Sequence, residues 1–214
     1  HCPEYVHRVL EGQLTDKETR RIGFPWSKAM VERSLRSVGA TLEASEAALK
    51  HGLGINLAGG THHGFTDRGE GFCVFNDVVV AAKQIQKQHP SSKILIIDCD
   101  VHQGNGTAAM TEEADSIFTF SIHGAKNYPY HKYPSDLDIA LPDGTGDEEY
   151  LQELEQALQN ISARFEPDLV FYLAGADPYM HDRFGRLGLS KQGLQERDHC
   201  VFSWCEGHQI PLVI

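Results

Sequence analysis

Apolar residues fall into short unbroken runs, each delivering the chain to polar or glycine-rich residues. Ile94–Ile97 leads into Asp98-Cys99-Asp100-Val101-His102, Ile117–Ile122 into His123-Gly124, and Leu169–Ala174 into Gly175-Ala176-Asp177. Ile55–Ala58 precedes Gly59-Gly60-Thr61-His62-His63, and Ile210–Ile214 begins one more run. Short, β-branched-rich runs of this kind read as strands buried on both faces, the habit of parallel sheets. Between them the pattern changes to helical spacing. Lys28–Lys50 carries Val31, Leu35, Val38, Leu42 and Leu49, with Ser27 as N-cap and Gly52 as C-cap. Further helices are predicted from Val78 to about Gln88 (capped by Asn76 or Asp77, closed by Pro90), near Thr107–Met110, over 147–165 and from Ser190 to about Glu206. In the 147–165 helix Leu151, Leu154, Leu158 and Ile161 face inward. Residues 1–24 are polar apart from a short helix over Glu4–Leu10, and 124–146 reads as one long loop. Strands alternating with helices predict an α/β three-layer sandwich, a mostly parallel sheet covered on both faces. No repeat, low-complexity tract or linker interrupts the 214 residues, so one domain is expected.

Charge and cysteine usage narrow the classes. The net charge of −11 provides no basic footprint for a nucleic-acid backbone. An acidic surface suits a cationic substrate without requiring one. Five cysteines with no Cys-x-x-Cys pair argue against a disulfide framework or a thiolate zinc knuckle and fit a reducing compartment. No apolar run approaches the roughly 18 residues of a membrane span, and no signal peptide opens the chain. The expected setting is the cytoplasm. The chain opens without methionine and stops at the start of a strand, so it reads as a fragment cut at both ends.

Parallel sheets place ligands beyond the carboxyl ends of their strands. Asp98, Asp100, His102 and Asp177 all fall at that edge, as do His62 and His63. Taken singly, the aspartates could serve as caps and His102 as a surface residue. Together, Asp100, His102 and Asp177 offer a divalent ion two hard oxygens and one nitrogen. Three protein ligands leave a position open, the mark of a catalytic rather than a structural site. Zinc suits this set, and Fe(II) also accepts one histidine with carboxylates. Such an ion activates water and polarises a carbonyl. Tandem histidines supply the general base and acid that a metal alone lacks.

The motifs "GGTHH", "DRGEGFCVFND", "IIDCDVHQGNGT", "LPDGTGD" and "LAGADPYMHDRFGRLGLS" span the chain in order. They resemble the histone deacetylase / acetoin-utilization / acetylpolyamine amidohydrolase superfamily, closest in flavour to class IV-like and bacterial members. The resemblance implies an arginase/deacetylase-like fold and a zinc-dependent amidohydrolase that removes acetyl or longer acyl groups from lysine. It makes Asp100, His102 and Asp177 the metal ligands and His62 and His63 the acid/base pair. Asp98 would orient His62, and Asn105 stands where many relatives have an aspartate behind the second histidine. An asparagine cannot stabilise an imidazolium by charge, so His63 should stay closer to a neutral base. Gly71, Phe72 and Tyr128 match the walls of an acyl-lysine tunnel. Asp98, Asp100, His102, Ser121 and Ile122 match a monovalent-cation site that holds potassium in relatives. Two departures stand out. His181 replaces an expected glycine at the tunnel rim, and the family's transition-state tyrosine, expected just after the strand begun at Ile210, lies past Ile214. The implied partner is an acyl-lysine peptide or a small acylated amine, with neither nucleic acid nor membrane expected. Rival readings are an acetylpolyamine or other small-amide deacetylase, a two-manganese ureohydrolase, and a catalytically impaired binding domain of the same fold.

Overall fold

The apolar runs pair with one another as parallel strands in a computed structural model that describes residues 1–214. Strands β1 (Leu53–Gly54), β2 (Ile94–Asp98), β3 (Ile117–Gly124), β4 (Leu137–Leu141), β5 (Leu169–Leu173) and β6 (Leu212–Val213) form one sheet in the order β1-β6-β5-β2-β3-β4. Every pairing is parallel. The helices are α1 (Pro3–Leu10), α2 (Asp16–Ile22), α3 (Lys28–His51), α4 (Asp77–Gln88), α5 (Asn105–Thr111), α6 (Asp147–Ser162) and α7 (Lys191–His208).

Successive side chains of a strand point to opposite faces, and β2 uses this to join the two cores. Leu95 and Ile97 pack with Leu154 and Leu158 of α6 and Val201 of α7. Ile94 and Ile96 pack with Ala44 and Ala48 of α3 and Val78 and Ile85 of α4. Helix, sheet and helix are therefore the three layers. Each Leu or Ile so buried is worth about 1.5–3 kcal/mol, which makes β2 a stiff base for whatever follows it. Asp98, its last residue, lies beside Ser121 of β3 and Leu173 of β5, so β2 and β5 end level while β3 runs on to Gly124. No helix is long and apolar enough to cross a membrane.

Four details differ from the sequence pattern. Ile55–Ala58 is not a strand: β1 is the preceding pair, Leu57 is 99% exposed, and the Asn56 side chain accepts the Ala58 N–H in an Asx-type turn. The buried face of α3 is built from Val31 and the small residues Ser37, Thr41, Ala44, Ser45 and Ala48, with Val38 and Leu42 packed at the core's margin, whereas Leu35 and Leu49 are 47% and 40% exposed. Small residues let α3 approach β1 closely, with Gly54 against the Ala44 carbonyl. The loop over 124–146 contains β4, an edge strand whose Leu137, Ile139 and Leu141 alternate with polar or small residues. Finally, α2 starts in a capping box, Thr15 and Glu18 each bonding the other's backbone N–H.

Candidate metal and catalytic centre

Beyond β2 the chain turns back on itself through its own carboxylates. Asp98 Oδ1 accepts the Asp100 N–H (3.1 Å), and Asp100 Oδ1 accepts the His102 N–H (2.8 Å). These local bonds replace the sheet ladder and bring Asp100 and His102 to the same space. Asp177 arrives from the end of β5, where Gly175 passes so near that a Cβ there would lie 2.7 Å from Asp100 Cα. Its Oδ1 accepts the Val101 N–H (2.9 Å), tying the two turns together. His102 Nδ1 then stands 2.9 Å from Asp100 Oδ1 and 3.0 Å from Asp177 Oδ2. Burial opposes a charge on His102, but the two carboxylates outweigh it and push the imidazole up to about 10.

The donor set fits a divalent cation. One atom from each of Asp100, His102 and Asp177 lies within 4.8 Å of the others. Bonds of about 2.0–2.1 Å in a tetrahedral zinc site separate neighbouring ligand atoms by about 3.3 Å, close to the spacing about His102 Nδ1. A cation would replace the ring proton as the positive charge these carboxylates require.

The histidine pair sits beside this cluster. The turn Gly59-Gly60-Thr61 is held by Asp77, which accepts the N–H groups of Thr61 (2.7 Å) and Gly60 (3.2 Å). His62 Nδ1 donates to Asp98 Oδ2 (2.6 Å) and His63 Nδ1 to Asn105 Oδ1 (2.7 Å). Both rings are buried, with centroids 4.1 Å apart, and His62 Nε2 is 3.8 Å from Asp100 Oδ1. Burial opposes a charge on each, but Asp98 and Asp100 outweigh it at His62 and push that ring up to about 9. At His63 burial prevails, and the neighbouring charge of His62 lowers it further, well below the ordinary range. The carboxylates thus favour the charged form of His62, whereas burial and the neighbouring His62 favour the neutral form of His63, where an asparagine brings no compensating charge.

Gly71 and Tyr128 pack against His63. The Tyr128 ring stands 5.0 Å from that of His63, edge to face, and its hydroxyl donates to Glu70 (3.3 Å). Gly71 and Phe72 both adopt positive φ, +56° and +65°. Their N–H groups donate to the Arg21 and Ile22 carbonyls, and Phe72 packs on Phe24 at 5.4 Å. A Cβ at position 71 would lie 2.5 Å from His63 Cδ2 and 3.1 Å from Tyr128 Cε1. Gly71→Ala should therefore displace His63 as well as strain the turn. We expect a fall in kcat/KM of at least about tenfold, at 1.4 kcal/mol per factor of ten, in a protein that still folds by circular dichroism.

The histone deacetylase domain model matches residues 1–214, the whole chain. The chain belongs to the histone deacetylase family. An uncharacterised protein of Picosynechococcus is 45% identical over 216 residues, which are 100% of this chain and 72% of the relative. Histone deacetylase 2 of Arabidopsis thaliana is 34% identical over 182 residues, 84% of this chain and 47% of that protein. The crystal structure of a histone deacetylase homologue from Aquifex aeolicus superposes with a TM-score of 0.87 at 27% identity, covering 100% of this chain and 63% of its own. The chain thus spans between about half and three quarters of the length of these relatives.

Within this histone deacetylase fold, the sequence-predicted residues fall into one neighbourhood. His62, His63, Asp98, Asp100, His102, Asn105 and Asp177 gather at the ends of β2 and β5, with Gly71 and Tyr128 against His63. Phe72 is further out and 62% exposed. Ser121 lies beside Asp98 across the β2–β3 register, with Ile122 next to it. His181 is exposed, packed edge-on against Tyr179. Sequence reasoning offered Asn76 and Asp77 as alternative helix caps; Asn76 is the cap of α4, and Asp77 faces the histidine turn instead. The signal was an aspartate directly after a cap and directly before an apolar helix, where burial demands partners.

Proposed function

We propose that this histone deacetylase-family chain is the catalytic domain of a metal-dependent deacylase that hydrolyses the amide of acylated lysine. The observation that carries the proposal is the unequal histidine pair, His62 on Asp98 and His63 on Asn105, beside three converging metal-ligating atoms. Asp100, His102 and Asp177 would hold zinc, with Fe(II) the competing ion, and the donor set suits either. When bound, the ion polarises the amide carbonyl and makes water acidic near neutral pH. His63, neutral with Nδ1–H tied to Asn105, presents its Nε2 lone pair for a proton from water and returns that proton to the departing amine. His62, held protonated by Asp98, keeps positive charge beside the reacting oxygen. Gly71, Phe72 and Tyr128 border the passage for an extended acyl-lysine side chain. Asp98, Asp100, His102, Ser121 and Ile122 would hold a potassium ion under the loop that carries the ligands.

A hydrolysis panel of acetyl-lysine peptide, myristoyl-lysine peptide and acetylated polyamine, run on the full-length protein with the segment past Ile214, tests the substrate. We expect the highest kcat/KM on an acyl-lysine peptide. A clear preference for the polyamine moves the assignment to small-amide deacetylation, and no turnover of any of them contradicts the proposal.

A further inference from the structure

Arg197 on α7 is buried, 2% exposed, and lies outside every motif used above. Its guanidinium reaches the two turns that carry the candidate ligands. Nη1 donates to the Gly175 carbonyl (2.6 Å) and, at 3.4 Å, to the Cys99 carbonyl. Cys99 stands between Asp98 and Asp100, and Gly175 is two residues before Asp177. The other edge of the fork, Nε (2.9 Å) and Nη2 (2.7 Å), binds Asp198 Oδ1, which also accepts the Tyr172 hydroxyl from β5 (2.6 Å). Asp198 therefore fixes the plane of the guanidinium and aims Nη1 at both carbonyls.

A buried guanidinium is costly to desolvate, and an apolar residue of similar volume would fill the space between α7 and the sheet. What only the rigid fork supplies is simultaneous bonding to a carboxylate and to carbonyls of two separate turns. We infer that Arg197 is a positioning residue: through the carbonyls of Cys99 and Gly175 it fixes the spacing between Asp100 and Asp177, and so sets the affinity of that cluster for a divalent cation. The inference rests on the reading of Asp100, His102 and Asp177 as a metal site.

Cobalt(II) titration of wild-type protein, Arg197→Lys, Arg197→Met and Leu158→Ala tests it, with chelator competition for affinity and visible absorption for ligand geometry. Leu158 lies in the same core and has no group that can hydrogen-bond to the Cys99 or Gly175 carbonyl, so its variant controls for general destabilisation. Loss of an outer partner of a metal site weakens binding by about 10–100-fold. We expect that loss in both Arg197 variants, smaller for Lys, with an altered cobalt spectrum, and wild-type affinity in Leu158→Ala. Cobalt affinity and spectrum unchanged in Arg197→Lys, or weakened as much in Leu158→Ala, overturn the positioning role even if Arg197→Met does not fold. Absence of cobalt binding by the wild-type protein overturns the metal reading itself, and this inference with it.

Discussion

Replacing Asp177 with asparagine should leave the protein folded but without stoichiometric zinc. The two oxygens of Asp177 have separate tasks. Oδ1 accepts the Val101 N–H and joins the end of β5 to the turn after β2, while Oδ2 faces His102 Nδ1 at 3.0 Å. An asparagine can keep the first bond through its carbonyl oxygen, but it offers no anionic ligand. His102→Ala removes the nitrogen donor and leaves Asp100 and Asp177 without a positive partner. Since changes to outer partners alone weaken metal sites by about 10–100-fold, loss of a ligand should exceed about a hundredfold. Metal content after dialysis and the thermal midpoint are the paired measurements. Zinc bound one-to-one in both variants would remove these residues from the ligand set.

His63→Ala should lower kcat by about a hundred- to ten-thousand-fold while zinc content stays at the wild-type level. His63 is backed by the neutral Asn105, so burial favours the neutral ring, with its one proton on Nδ1 and the Nε2 lone pair free to act as a base. His62 is backed by Asp98 and carries its proton, so it cannot substitute at the same pH. His62→Ala also leaves Asp98 buried without its partner, so a stability loss should accompany the activity loss there. For His63→Ala the two separate: activity falls and metal stays. A His63→Ala enzyme turning over at the wild-type rate would end the assignment of His63 as the base.

The central frame was legible because its signals are local. Ile94–Ile97, Ile117–Ile122 and Leu169–Leu173 are apolar without interruption, and only a strand buried on both faces needs that. Ser27, Asn76 and Ser190 stand where helix caps should be and accept the N–H groups that caps satisfy. The errors came where tertiary contact overrode pattern. The apolar spacing of α3 placed Val31, Val38 and Leu42 against the core but also Leu35 and Leu49, which are exposed, and it missed the small residues Ser37, Thr41, Ala44, Ser45 and Ala48 that the sheet selected. β4 hid within a polar loop because an edge strand needs only alternate apolar residues. In the site, Asp98, Asp100 and His102 were visible as a run, and Asp177 as a second strand ending in a carboxylate. Arg197 was not visible. Its partners are the carbonyls of Cys99 and Gly175, and side-chain patterns carry no record of a backbone acceptor.

The central claim is that amide hydrolysis depends on a metal held by Asp100, His102 and Asp177 beside an unequal histidine pair. Its most direct test is the hydrolysis of an acetyl-lysine peptide by the full-length protein, which includes the segment past Ile214, before chelation, after chelation, and after addition of one equivalent of zinc. The geometry predicts turnover that disappears with the metal and returns with it, and no recovery in the Asp177→Asn protein. Turnover that persists in the metal-free protein, or that returns equally in Asp177→Asn, would contradict it.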